Sequence, residues 1–274
     1  MTMTWSLADS RVRKYSATSS GIEYEISIWQ PKGEPPKQGW PVVYVLDGNA
    51  LFATVVEAIQ RGGRRPDATG VGLAAVVGIA HGDERLFATE FRYRDFTFEP
   101  SAAVKADTAG GGRAFLDFIS RQLTPELARE FNFNRAHQML FGHSLAGYFV
   151  LNALGLQPHA FSHFAAISPS VWWQPDALNK RLQQLQATQA PRVLIATGEW
   201  EGTPAPWIPD GPAREQLIAR RNTRAMLTHA AAVADLCQQQ LGPQRVSYRC
   251  FPEEDHSSVV MIGIQRALRL MFEP

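Results

Sequence analysis

The sequence predicts an α/β protein with a mostly parallel central sheet and helices on both faces. Three observations predict it. Short, continuous apolar runs recur along the chain, each closed by turn residues. Runs of that kind suit strands buried on both faces, as in a parallel sheet. Stretches with helical spacing separate them, and strands alternating with helices build such a sheet. Finally, one strand passes into one helix through a Gly-rich turn at Gly142-His143-Ser144-Leu145-Ala146-Gly147.

The elements follow in order. Val12 to Gln30 alternates, most clearly over Ile22 to Trp29, and period-two alternation with β-branched and aromatic residues predicts a half-exposed strand. Residues 31–39, rich in Pro, Gly and Lys, form a loop. Pro41 to Leu46 is a buried strand ended by Asp47-Gly48-Asn49, and Ala50 to Ile59 is helical. Gly72 to Ala80 is the next strand. His81 to Ala109 is polar, aromatic and without period; unstructured stretches of that length are usually functional or disordered, and its aromatic content argues for order. Gly110 to Phe131 reads as a helix, His137 to Phe141 as a strand and Leu145 to Leu156 as a helix. Phe164 to Ile167 is a strand, Asp176 to Leu185 helical, Val193 to Ala196 a strand, Ala213 to Leu241 mostly helix, Arg245 to Phe251 a strand and Ser257 to Met271 a closing helix. With no repeat, linker or low-complexity tract, the 274 residues are expected to form one domain.

Bulk composition narrows the function. Lys+Arg 27 against Asp+Glu 26 leaves a net charge of +1, which argues against a nucleic-acid partner; Arg61, Arg64 and Arg65 form only a local cluster. Two cysteines, Cys237 and Cys250, cannot make a disulfide framework and read as free thiols. No stretch is apolar enough to span a membrane, and Met1 to Ser10 lacks the apolar core of a leader peptide. The expected location is therefore cytoplasmic, or periplasmic if a leader has been removed.

The Gly142–Gly147 turn carries the chemistry. A tight strand–turn–helix passage presents its serine in strained dihedrals at the sheet's edge, as in the Gly-x-Ser-x-Gly elbow of α/β-hydrolases. Ser144 is thus the expected nucleophile, with Ala146 standing where the second small residue is usually Gly. The backbone N–H of Leu145, at a helix N-terminus, suits a developing oxyanion. A second donor is expected after the 41–46 strand, where the Asn49 N–H is preferred and Gly48 adjoins it. A serine hydroxyl needs a base. Of seven histidines, His256 directly follows the last predicted strand and fits the order serine, acid, histidine. His143, beside the nucleophile, falls with the substrate-binding candidates. Strand 193–197 runs into Gly198-Glu199-Trp200-Glu201, so Glu201 or Glu199 is the expected acid, Glu201 favoured; a Ser–His dyad stays open.

These segments also carry a likeness. Val45-Leu46-Asp47-Gly48-Asn49-Ala50, Arg92-Tyr93-Arg94-Asp95-Phe96-Thr97, Gly111-Gly112-Arg113, Gly142-His143-Ser144-Leu145, Ser168-Pro169-Ser170-Val171-Trp172-Trp173, Gly198-Glu199-Trp200-Glu201 and Glu254-Asp255-His256 stand in one order over about residues 40 to 260. The chain resembles the putative esterase family, which includes esterase D, and most nearly the bacterial siderophore trilactone esterases of enterobactin and salmochelin type. The resemblance implies a metal-free serine hydrolase acting on a small-molecule ester, with a ferric or iron-free siderophore as the expected substrate. Some such relatives act as dyads. In esterase D-like members the acid lies three residues after a strand-ending glycine, and Glu201 stands at that offset from Gly198. Arg92 and Arg94 are candidates for binding a catecholate or carboxylate oxygen, or else pair with an acid to order their loop. Trp172, Trp173, Trp200 and Trp207 are candidates to stack on an aromatic acyl group or to form wall and core. An acyltransferase, an S-formylglutathione-type thioesterase and a non-catalytic binding protein on the same scaffold are the competing readings. The 81–109 and 202–212 segments are the expected substrate wall.

Overall fold

A computed structural model describes residues 7–83, 85–101, 108–186 and 191–273; the first six residues of the expected leader-free N-terminus and part of the 81–109 segment lie outside them. Eight strands form one sheet: β1 (Ser10–Ser16), β2 (Glu23–Trp29), β3 (Trp40–Leu46), β4 (Ala75–Ala80), β5 (Phe133–His143), β6 (His163–Ile167), β7 (Arg192–Gly198) and β8 (Val246–Phe251), in the order β1-β2-β4-β3-β5-β6-β7-β8. The β1–β2 and β2–β4 pairs are antiparallel and every other pair is parallel. The continuous apolar runs are the inner parallel strands: all of Val43 to Leu46 and Ala75 to Ala80 is buried. The alternating run is the outer antiparallel pair, in which Tyr24, Ile26 and Ile28 of β2 reach one core and Trp29, at its end, reaches the other.

The connecting helices are α1 (Gly48–Gly62), α2 (Pro66–Thr69), α3 (Thr89–Phe96), α4 (Gly112–Asp117), α5 (Thr124–Phe131), α6 (Leu145–Leu156), α7 (Pro175–Gln183), α8 (Pro212–Arg224), α9 (Met226–Leu241) and α10 (Val259–Phe272). Strand side chains alternate faces, which splits the core in two. Val43, Val45, Met139, Phe141 and Leu194 pack with α1 and α10. Val42, Tyr44, Leu140, Phe164 and Ile195 pack with α4 to α7 and α9. Helix α6 lies deepest, buried from Leu145 through Leu154; truncating a side chain such as Phe149 there would cost about 3–5 kcal/mol.

Three expectations need correction. The aperiodic 81–109 segment contains α3. It shows no apolar stripe because polar contacts hold it: Arg92 reaches Asp47, and Arg94 pairs with Asp95. The 110–131 helix is interrupted by a π-helical turn over Phe118–Leu123. The 213–241 helix breaks at Ala225, which adopts left-handed dihedrals (φ 42°, ψ 44°) and separates α8 from α9. Both cysteines are free, Cys237 buried and Cys250 exposed.

All five loops that matter leave the carboxyl ends of parallel strands: Asp47 after β3, Ser144 after β5, Ser168 after β6, Glu199 after β7 and Pro252 after β8. Ligands of open α/β sheets bind beyond that edge.

Candidate active site

Ser144 sits at the junction of β5 and α6 with φ 62° and ψ −119°, a conformation that costs a non-glycine residue of order 1–3 kcal/mol. Crowding enforces it. A Cβ on Gly142 would lie 2.5 Å from the Ala146 carbonyl oxygen, so strand and helix cross over a position that admits no side chain. A Cβ on Gly147 would meet the Ile167 carbonyl oxygen at 3.0 Å. The second close approach therefore falls at Gly147, and this explains why Ala146 can stand where the elbow pattern has glycine. The Ser144 N–H donates to Ile167 O at 2.9 Å, fastening the turn to β6.

The Ser144 hydroxyl lies 3.0 Å from His256 Nε2, across 112 residues of chain. His256 Nδ1 lies 2.8 Å from Glu201 Oε2. A carboxylate only accepts, so Nδ1 carries the proton and Nε2 presents a lone pair to the serine. Glu201 is buried, its side chain 2% exposed against 44% for His256. Burial pushes its carboxyl up, but hydrogen bonds from His256, from Gly198 N–H (2.8 Å) and from the Ser168 hydroxyl (2.5 Å) outweigh that, holding it below the usual glutamate value. Glu199 is exposed and accepts from Glu253 N–H at 2.9 Å instead. The 3-10 turn Glu199–Glu201 thus aims alternate glutamates in different directions.

His143 is a correction. Rather than facing substrate, its Nε2 donates to the His256 backbone oxygen at 2.7 Å. Burial, with repulsion from the His256 imidazole whenever that ring is protonated, pushes its pKa down to about 3, so the His143 imidazole is neutral and Nε2 bears the proton. It supports the base from behind. Arg92 takes the loop-ordering one of its two expected roles. Its guanidinium forms a two-pronged pair with Asp47 (2.9 and 3.1 Å) and reaches the His143 carbonyl oxygen at 3.4 Å. Arg94 is held by Asp95 in the same forked manner, and Asp95 also accepts from Tyr24 and lies 3.0 Å from His81. Both arginines order the loops behind the site, the alternative kept open for them above.

The Arg92–Asp47 pair bears on the expected oxyanion loop. Asp47 takes left-handed dihedrals (φ 54°, ψ 51°) and opens α1. Its oxygen accepts from Ala50 and Leu51, while the N–H groups of Gly48 and Asn49 begin the helix, where such donors have no intrahelical acceptor. The Asn49 side chain ties this turn to the backbone oxygens of Asp83 and Arg85. Burial pushes the Asp47 carboxyl up and Arg92 opposes that shift. Removing the arginine strands a buried carboxylate, which typically costs about 3–5 kcal/mol. Arg92→Gln is accordingly expected to lower the urea midpoint by an amount matching several kcal/mol; a midpoint shift below about 1 kcal/mol would contradict this account.

Ser144, His256, Glu201, Ser170 and Trp172 line a pocket of about 170 Å³, closed on its far side by α8. The Ser170 hydroxyl is 3.4 Å from that of Ser144. Trp173, in contrast, is buried, donates its indole N–H to Glu99 O at 2.9 Å and stacks on Tyr93, so it belongs to the core. Trp200 and Trp207 pack edge to face at 4.4 Å away from the pocket lining.

Sequence reasoning missed two features. Ser168 arrives from β6 to bond Glu201, and its signal was the strand-ending Ser168-Pro169-Ser170. Arg220, Arg221 and Arg224 of α8 line the pocket; their signal was an unbalanced basic run in a helix otherwise read only as scaffold. Among the described residues, no group of three or more His, Cys, Asp or Glu could hold a metal ion, and no helix is long and apolar enough to cross a membrane.

A buried glutamate, an imidazole and a hydroxyl in series at the carboxyl edge of a mostly parallel sheet define a serine hydrolase of the α/β-hydrolase fold, acting as an esterase on small esters. The chain belongs to the family described as "Putative esterase", whose pattern matches residues 17–258. It is 34% identical to the ferri-bacillibactin esterase BesA of Bacillus subtilis, over 98% of this chain and 92% of that one. It is 30% identical to the siderophore triacetylfusarinine C esterase of Aspergillus fumigatus, over 94% of this chain and 92% of that one. Among solved structures, the siderophore hydrolase EstB of Aspergillus nidulans superposes with a TM-score of 0.86 at 25% identity, covering 98% of this chain and 96% of the other.

Proposed function

We propose that the protein hydrolyses the ester bonds of siderophores through an acyl-enzyme on Ser144. The observation that carries this reading is the Ser144–His256–Glu201 chain of contacts at 3.0 and 2.8 Å. His256 Nε2 takes the hydroxyl proton as the oxygen attacks the ester carbonyl. The resulting oxyanion is held by the N–H groups of Leu145 and Asn49. Collapse expels the alcohol, which receives the proton from His256. Water, deprotonated by the same imidazole, then attacks the acyl-enzyme and releases the acid. Glu201 keeps the imidazole in the required tautomer and stabilises the imidazolium, while His143 steadies the backbone of the base.

The siderophore as substrate is supported by the similarity to the Bacillus and Aspergillus siderophore esterases over nearly the whole chain. It is tested by incubating the enzyme with ferri-bacillibactin and with iron-loaded triacetylfusarinine C and following the products by mass spectrometry. The expected result is the mass of one added water per ester opened, for at least one of the two. Intact siderophores in a preparation that hydrolyses p-nitrophenyl butyrate would overturn the siderophore assignment and leave the esterase standing.

A further inference from the structure

The wall of the pocket formed by α8 carries charge that the protein itself does not neutralise. Arg220, Arg221 and Arg224 line the same pocket as Ser144 and His256. Among the described residues none of the three forms an ion pair, although Arg214 on the same helix pairs with Asp210 at 3.4 Å. The acids that act on Arg221 are Glu201 and Asp255. Both are engaged elsewhere: Glu201 by His256, Gly198 and Ser168, and Asp255 by the N–H groups of Ser257 and Ser258. Arg221 Nη1 is buried and lacks a hydrogen-bond partner among the described residues, a condition native proteins seldom leave without a reason. Burial, and then repulsion from Arg220, pulls both Arg221 and Arg224 below the ordinary arginine value. Arg224 is oriented by the Trp172 ring, 4.2 Å beneath its guanidinium carbon, a cation–π contact that leaves the forked donors free to receive an acceptor.

Three crowded guanidiniums lining the pocket of the reacting hydroxyl, one with a buried donor that has no partner among the described residues, are groups set up for a ligand that brings negative charge. We infer that Arg220, Arg221 and Arg224 form an anion-receiving wall, so that the enzyme selects esters bearing an anionic group close to the reacting carbonyl. The inference rests on Ser144 being the nucleophile and adds the charge of the substrate to that reading. Its chemistry fits a carboxylate and equally a polyanionic ferric catecholate. The charge acts in binding, so it lowers KM for an anionic ester more than it alters kcat, and added salt weakens it.

The test uses two matched pairs of chromogenic esters. In one the acyl half is charged: the mono-p-nitrophenyl ester of terephthalic acid against its neutral 4-carbamoyl counterpart. In the other the alcohol half is charged: 4-acetoxybenzoate against 4-acetoxybenzamide. Each is offered to the wild-type enzyme, to the single variant Arg221→Gln, to the triple glutamine variant at 220, 221 and 224, and to the triple lysine variant. In at least one pair the wild type is expected to favour the anion about tenfold or more in kcat/KM, chiefly through KM, and less so in high salt. The preference should collapse toward unity in the triple glutamine variant, fall partway in Arg221→Gln and persist largely in the lysine variant, which keeps charge and reports that the fold tolerates substitution. Equal rates within both pairs for the wild type, or a preference that survives triple glutamine substitution, would overturn the inference. Failure of all four esters with the wild type would instead remove the esterase mechanism on which it stands.

Discussion

Ser144→Ala is expected to lower kcat for p-nitrophenyl butyrate hydrolysis by on the order of 10⁶-fold while leaving the fold intact. The substitution deletes one oxygen at a position whose backbone is fixed by others: by the Ile167 carbonyl that accepts the Ser144 N–H, and by the contact of Gly142 with Ala146. The expelled atom is the one that would bond to the acyl carbon, so no covalent intermediate forms. The helix N-terminus at Leu145 persists, and with the rest of the pocket it supports only the residual acceleration over water that oxyanion stabilisation and binding give elsewhere, about 10³–10⁴-fold. Activity within tenfold of the wild type, measured on enzyme purified from a host lacking other esterases, would refute the nucleophile.

His256→Ala is expected to fall to a similar level, because a hydroxyl at its ordinary pKa barely attacks without a base. The two losses should not add. A double Ser144→Ala, His256→Ala variant is expected to be no worse than either single one, as residues acting in one step behave as a unit. Glu201→Ala is expected to cost less, on the order of 10⁴-fold, since the base survives but loses its tautomeric control. Glu199→Ala, which removes only the acceptor of the Glu253 N–H, should cost far less again. A larger loss at Glu199 than at Glu201 would reverse the assignment of the acid.

Much of the scaffold was legible because it is written in local chemistry. The inner strands announce themselves as apolar runs such as Val42 to Leu46, and α6 was bounded correctly by the turn before it and the change of composition after Leu156. The meeting of Ser144 with His256 could be anticipated since both follow parallel strands, whose ends share an edge. Helix α3 was not legible: its Arg92 is held by Asp47 and its Asp95 by Tyr24, partners remote in sequence, with His81 of the preceding loop closing the group. Nor was the break at Ala225, because alanine is the strongest helix former and only tertiary packing can hold it in left-handed dihedrals. The choice between Glu199 and Glu201 turned on the phase of one 3-10 turn, which composition does not encode. His143 looked like a substrate contact on adjacency alone; its actual role depends on the backbone oxygen of a residue 113 positions away.

The loops after β7 and β8 are stitched to each other as tightly as either is to the sheet. Trp200 N–H donates to Glu254 O at 3.0 Å, Glu253 N–H donates to the Glu199 carboxylate at 2.9 Å, and a Cβ on Gly198 would collide with the Glu254 carbonyl. The two loops that carry acid and base therefore shape one another, and each is placed by contacts the other supplies. Anyone grafting this machinery onto a relative must transplant both segments together, for either one alone would arrive without the surface that shapes it.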